Sequence, residues 1–241
     1  MQKDDLILVI DMQKVYLEGN PWACKNIKSA SGKIAGLLDR IIELKESAES
    51  GNSGSKVWIS NVSGNINVIS GTDNTVKDQE SMVEKTPDVM LTRFIAASDE
   101  DTVGTWTEYN EVNRDINDNP VMNEFIPEIA RYVEDFPYFD KCTYSCFSHP
   151  YVRAAGDKAM LHGGSIVLTG VVAECCVLST FFQGVDLGYH FIYLTDACAG
   201  LDDETENAVK KVLEGLSPLH VEMMTTEEYF TYKRDVNTRF R

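Results

Sequence analysis

"SIVLTGVVAECCVLSTFFQGVDLGYHFIYLTD", residues 165–196, carries two β-prone apolar runs, 165–170 and 190–196, on either side of a segment of helical period from about 175 to 187. The same rhythm continues along the chain. "LILVI" (6–10), "VMLT" (89–92) and "HVEMM" (220–224) read as strands, and segments near 29–48, 123–134 and 203–215 read as helices. Strands alternating with helices build a parallel sheet covered on both faces, a three-layer α/β/α Rossmann-like architecture. Ligands in such sheets sit beyond the carboxyl ends of the strands. Asp11 follows "LILVI", Lys141 follows "FPYFD", and the pair Cys175–Cys176 follows "SIVLTGVVAE", so three chemically useful side chain types stand at that end.

At 241 residues the chain is long enough for one α/β domain with a filled core, and no break in composition calls for a second within 1–241. Residues 51–86, rich in Gly, Ser and Asn, interrupt the rhythm. They read as an inserted hairpin or arm, or alternatively contribute "KVWIS" (56–60) as a sheet strand. A formal net charge of −16, with no basic patch to offset it, argues against nucleic acid and anionic membranes as partners. The apolar run in "MQKDDLILVI" stops at Asp11, too short for a leader or a span, which points to a cytoplasmic protein. Six unevenly spaced cysteines (24, 142, 146, 175, 176, 198) read as reduced thiols and not as a disulfide framework.

A thiol is a strong nucleophile only as thiolate, and the start of a helix supplies partial positive charge and free N–H groups that favour one. The same N–H groups can hold the oxyanion of a tetrahedral intermediate. A carboxylate such as Asp11 can take the thiol proton and return it to a leaving group, and a lysine such as Lys141 would lower the thiol pKa.

"LILVIDMQ", "FDKCTYSCF" and "TGVVAECCVLSTFFQGVDLGYHFIYLTDACAG" together resemble the isochorismatase-like cysteine hydrolases, which include nicotinamidases, N-carbamoylsarcosine amidases and ureidoacrylate amidohydrolases. The resemblance covers most of 5–15 and 89–229 and leaves 51–86 outside. It implies a six-stranded parallel sheet of order 3-2-1-4-5-6. That family's nucleophile immediately precedes a valine, which selects Cys176. The resemblance further implies Asp11 as general base and acid, Lys141 as its partner, a cis peptide between Val171 and Val172, and an oxyanion hole from the N–H groups of Val172 and Cys176. It also implies a small-molecule substrate and a homo-oligomer, dimeric or tetrameric.

Plainer roles compete at each position. Cys175, Cys142 and Cys146 read as packing residues and Cys198 as core, whereas Cys24 permits no reading. Trp106, Tyr109, Tyr144 and Phe147, with Gln13 of "DMQ", either line a substrate pocket or fill space near the sheet edge. Metal-binding nicotinamidases carry a histidine cluster after the second strand, but "VMLTRFIAASDEDTVGTW" has none. Its Asp99, Glu100 and Asp101 read as a solvated acidic turn. No cofactor or metal is expected. The sequence therefore predicts a metal-independent cysteine hydrolase cleaving a C–N bond of a small amide, carbamoyl or ureido compound through a thioester. The alternatives are an isochorismatase-type vinyl ether hydrolase, which needs no cysteine nucleophile, and a non-catalytic scaffold.

Overall fold

Leu6–Ile10 (β1) is apolar at every position and buried at every position, as a strand covered on both faces must be. Leu6, Leu8 and Ile10 point to one side of the sheet, and Ile7 and Val9 to the other. A computed structural model describes residues 1–2, 4–50 and 86–232. All but the last residue of the 51–86 arm, including "KVWIS", lies outside these described residues, as do residues 233–241 beyond the terminal helix.

After β1 come helix α1 (Ile27–Ser50), β2 (Asp88–Phe94), α2 (Thr105–Val112) and three four-residue helices, α3 (Arg114–Asn117), α4 (Pro120–Asn123) and α5 (Pro127–Ala130). β3 (Tyr138–Lys141), α6 (Pro150–Leu161), β4 (Ile166–Gly170), α7 (Leu178–Asp186), β5 (Phe191–Cys198), α8 (Asp203–Glu214), β6 (Val221–Met224) and α9 (Thr226–Thr231) complete the order. The six strands form one sheet, β3-β2-β1-β4-β5-β6, every pair parallel. The chain therefore has the expected α/β architecture and strand order.

One core layer packs Ile7, Val9, Leu91 and Val167 against Ile34, Leu37, Leu38 and Ile41 of α1. The opposite layer packs Leu6, Leu8 and Leu168 with Val152 of α6, Phe181 of α7 and Leu213 of α8. Each such side chain, fully withdrawn from water, contributes roughly 1.5–3 kcal/mol. Strand order reverses beside β1, whose neighbours are β2 and β4, and that reversal opens a crevice at the carboxyl ends.

The helix expected over 123–134 is not continuous. Pro127 has no N–H to extend a helix from α4, and Ile126 before it is extended (φ −63°, ψ 150°). The intervening backbone pairs with the loop after β1 instead: Ile126 N–H donates to the Met12 carbonyl at 2.9 Å, and Gln13 bridges Phe125. Helices α2 and α6, which no apolar stripe announces, are additions. Their inward faces rest on few residues, Asn110 in α2 and Val152, Gly156 and Ala159 in α6.

Candidate active site

Asp11, Lys141 and Cys176 meet at the carboxyl edge of β1, β3 and β4. Lys141 Nζ donates to Asp11 Oδ2 at 2.6 Å, with neither side chain exposed to solvent. Thr92 Oγ1 donates to the other carboxylate oxygen at 2.8 Å, and Lys141 also reaches the Thr143 carbonyl at 3.1 Å. Asp11 has a left-handed backbone (φ 50°), rare for a residue with a side chain, and its N–H is tied to the Thr92 carbonyl at 3.0 Å. Burying an ion pair this completely costs several kcal/mol of desolvation per ion and is a poor device for stability.

The Cys176 thiol is buried, with Asp11 and Lys141 as its charged neighbours. Burial raises its pKa well above the usual thiol value; Lys141 lowers it, but Asp11 pushes it up again. This corrects the expectation of a depressed thiol pKa, since burial outweighs the lysine and the favourable turn. Burial also works against the Lys141 ammonium, but Asp11 more than compensates and its pKa lies above the ordinary lysine value.

The backbone here is a tight succession. The Val171–Val172 peptide is cis, residues 173–177 form a π-type turn, and α7 follows. The N–H groups of Cys175 and Val177, on either side of Cys176, both donate to the Val172 carbonyl, at 3.0 and 3.1 Å. Thr180 locks the turn from below: its Oγ1 donates to the Cys176 carbonyl at 2.7 Å and accepts the Cys146 N–H at 3.0 Å.

A cavity of about 300 Å³ opens above Cys176. Tyr16, Trp22, Tyr109 and Tyr144 supply an aromatic side, while Val172, Glu174 and Cys175 belong to the turn itself. Tyr109 and Tyr144 are thus wall residues. Trp106 packs on Tyr144 and Tyr109 (centroids 4.8 and 5.2 Å) and supports the wall without lining the cavity.

Of the five pocket candidates, Phe147 and Gln13, like Trp106, do not line the cavity. Phe147 is core, wedged between Tyr189 and Phe191 (5.0 and 6.5 Å) over the glycines of α6 and α7. Gln13 is a buried brace: its amide donates to the Phe94 and Asn123 carbonyls at 3.0 and 3.1 Å and accepts the Phe94 N–H at 2.7 Å. Of the cysteines read as packing residues, Cys146 is buried, Cys142 is exposed, and half-buried Cys175 lines the cavity, as does Cys24. All six thiols are free, and Cys198 is core.

Thr92, Thr180, Tyr16 and Trp22 carry no motif that marks them. A threonine in an otherwise apolar strand (Thr92) and one four residues after the candidate nucleophile (Thr180) were the available signals. Among the described residues no group of three or more His, Cys, Asp or Glu is arranged to hold a metal ion. Asp99, Glu100 and Asp101 are exposed, with Asp99 paired to Arg114 at 3.3 Å.

The Isochorismatase domain profile matches residues 5–228. The chain belongs to the isochorismatase family, a family of hydrolases. No curated protein sequence matches it significantly. Among solved structures, this isochorismatase-family chain is similar to a cysteine hydrolase from Pseudomonas syringae pv. phaseolicola (18% identity, TM-score 0.61, covering 95% of this chain and 92% of that one). An isochorismatase-like hydrolase from Alkaliphilus metalliredigens is similar at 19% identity and TM-score 0.59, with 94% and 97% covered. A pyrazinamidase/nicotinamidase from Streptococcus mutans matches at 15% identity and TM-score 0.57, with 90% and 99% covered. At these identities the likeness is one of fold. Among the described residues no helix is long and apolar enough to cross a membrane.

Proposed function

We propose that this isochorismatase-family chain is a cysteine hydrolase that cleaves the C–N bond of a small amide, carbamoyl or ureido compound without a metal. The observation that carries the reading is the buried Cys176 thiol lining a cavity, with the Asp11 carboxylate, itself held by Lys141 at 2.6 Å, as its charged neighbour. A thiol kept protonated by burial needs a base beside it, and Asp11 serves as that base.

Cys176 Sγ attacks the carbonyl carbon as its proton passes to Asp11. The oxyanion is received by the N–H groups of Val172 and Cys176. Collapse breaks the C–N bond, with Asp11 returning the proton to the departing amine or ammonia. Water, losing a proton to Asp11, then cleaves the thioester and frees the thiol. Lys141 stays protonated throughout and keeps the carboxylate oriented. A vinyl ether hydrolase would make no use of a thiol in this position.

The test is release of amine or ammonia across a panel of small amides, ureas and carbamoyl compounds. Cleavage by the wild type that disappears in Cys176→Ala is the expected result. A Cys176→Ala enzyme as active as the wild type would overturn the mechanism.

A further inference from the structure

We infer that the Tyr16 hydroxyl binds the atom flanking the scissile carbonyl on the side away from the leaving nitrogen, and that this atom is an N–H, so that the cavity takes an N-substituted urea in preference to the carboxamide of the same shape. The inference rests on the reading of this cavity as the substrate site and narrows the class of molecule it takes.

Tyr16 closes the single 3₁₀ turn Lys14–Tyr16 that follows Asp11, and it lines the cavity. Its backbone is held from both sides: its N–H donates to the Gln13 carbonyl at 3.2 Å, and its carbonyl accepts the Cys24 N–H at 2.9 Å. Its ring rests on Trp22 (centroids 6.0 Å), and the residue keeps only 4% of its surface exposed. The hydroxyl has no hydrogen-bond partner among the described residues, and unlike that of Tyr193 its oxygen is not sealed from the surface. After burial, the groups that bear on this hydroxyl are Cys176, Asp11, Tyr109 and Cys24, in falling order, so it stands beside the thiol and Asp11 with cavity residues around it. Together they hold the phenol well above the ordinary tyrosine pKa, uncharged, with one hydrogen to give and lone pairs to accept another.

A carbonyl carbon attacked by Cys176 carries three substituents. In the proposed reaction its oxygen goes to the N–H groups of Val172 and Cys176 and its leaving nitrogen to Asp11. The third atom is then directed to the remaining wall, where the Tyr16 hydroxyl is the polar group beside the thiol. Water can serve this hydroxyl while the cavity is open, but a bound substrate displaces it. A flanking methylene would leave the phenol withdrawn from water and unpaired, and a site built to pair with an N–H rejects the analogue that lacks one. The surroundings set the polarity of the partner. Among the described residues no lysine or arginine lines the cavity, so a flanking anionic group would meet the Asp11 charge without a cation to offset it, whereas an N–H meets the lone pairs of the phenol. The substituent on that nitrogen falls among Trp22, Tyr109 and Tyr144, whose ring contacts (6.4 Å for each of the pairs Trp22–Tyr109 and Tyr109–Tyr144) suit an aromatic group.

The experiment measures protection of Cys176 from iodoacetamide, read by fragment mass spectrometry that resolves Cys176 from Cys175. The probes are phenylurea and 2-phenylacetamide, which differ by one N–H in place of a methylene beside the carbonyl. Phenylurea is expected to protect the wild type at about one tenth or less of the 2-phenylacetamide concentration. In Tyr16→Phe, which keeps the ring and removes only the hydroxyl, that preference disappears because phenylurea weakens while 2-phenylacetamide protects as before. A purely structural role for Tyr16 would weaken both probes alike. No protection by phenylurea, equal protection by the two probes in the wild type, a preference that survives Tyr16→Phe, or equal weakening of both probes overturns the proposal. If Tyr16→Phe fails to fold, Tyr16→Met, which also lacks the hydroxyl, carries the same comparison. Because labelling requires no turnover, a chain that hydrolyses neither probe yet prefers phenylurea through Tyr16 would refute the proposed reaction and leave this contact standing.

Discussion

Cys176 and Cys175 are neighbours in sequence with different surroundings: the first is buried against Asp11, and the second faces the cavity with Glu174 as its charged neighbour. Cys176→Ala is expected to lower turnover by about three orders of magnitude or more with an unchanged thermal midpoint, whereas Cys175→Ala should stay within about tenfold and act mainly on KM. Steady-state kinetics on the pair, with a melting curve for each, checks this. A sharper test uses the opposed influences on the thiol. Asp11 raises the Cys176 pKa and Lys141 lowers it. Asp11→Asn should therefore shift the pH profile of Cys176 alkylation to lower pH and speed labelling near pH 8, even as hydrolysis falls by about a thousandfold. Lys141→Met should shift the same profile to higher pH while hydrolysis also falls. Alkylation profiles that moved together in the two variants would remove these charges from control of the nucleophile.

At the scale of elements, the candidate site depends on how the turn 173–177 is fixed between β4 and α7. Thr180, in the first turn of α7, joins the Cys176 carbonyl to the Cys146 N–H and so ties the segment after β3 to the turn after β4. Thr180→Val keeps the shape but leaves a buried N–H without its acceptor. The expected cost is about 1–3 kcal/mol in denaturant unfolding, together with a lower kcat, because the turn loses its anchor. Gly170, the last residue of β4, has φ 104°, and a Cβ there would lie 2.1 Å from the Ile10 carbonyl oxygen. A side chain would force β4 away from β1 just before Asp11. Gly170→Ala is accordingly expected to destabilise the fold by about 3 kcal/mol or more, seen as a shifted denaturation midpoint.

For the molecule as a whole, the reversal of strand order beside β1 brings residues 11, 141 and 176, far apart along the chain, to one edge of one sheet. The proposed chemistry uses backbone N–H groups to stabilise charge, so it asks nothing of a Lewis acid. Exhaustive chelation followed by dialysis should leave kcat/KM unchanged, measured on whichever amide the panel identifies. Loss of activity that returned with one equivalent of a divalent metal would revive a nicotinamidase-type mechanism. The exposed carboxylates at 99–101 can attract a hard cation loosely in solution, but they have no part in the candidate site and binding there should not alter the rate.

What the sequence determined by itself was local. Apolar runs of strand length between helical periods specify a parallel α/β sheet, and three short motifs in order bring Asp11, Lys141 and Cys176 into consideration, because both signals reside in neighbouring residues. Only the tertiary structure decided the rest. The segment 123–134 breaks because Ile126 and Phe125 find partners in the loop after β1, some 110 residues earlier, which no local period records. Gln13 became a brace and Phe147 a core ring for the same reason, each surrounded by residues distant in sequence. The sequence reading of the Cys176 thiol weighed the turn and Lys141 but not burial. A helix start stabilises a thiolate locally, but withdrawal from water depends on every element packed around the sulfur, and here it is the larger effect.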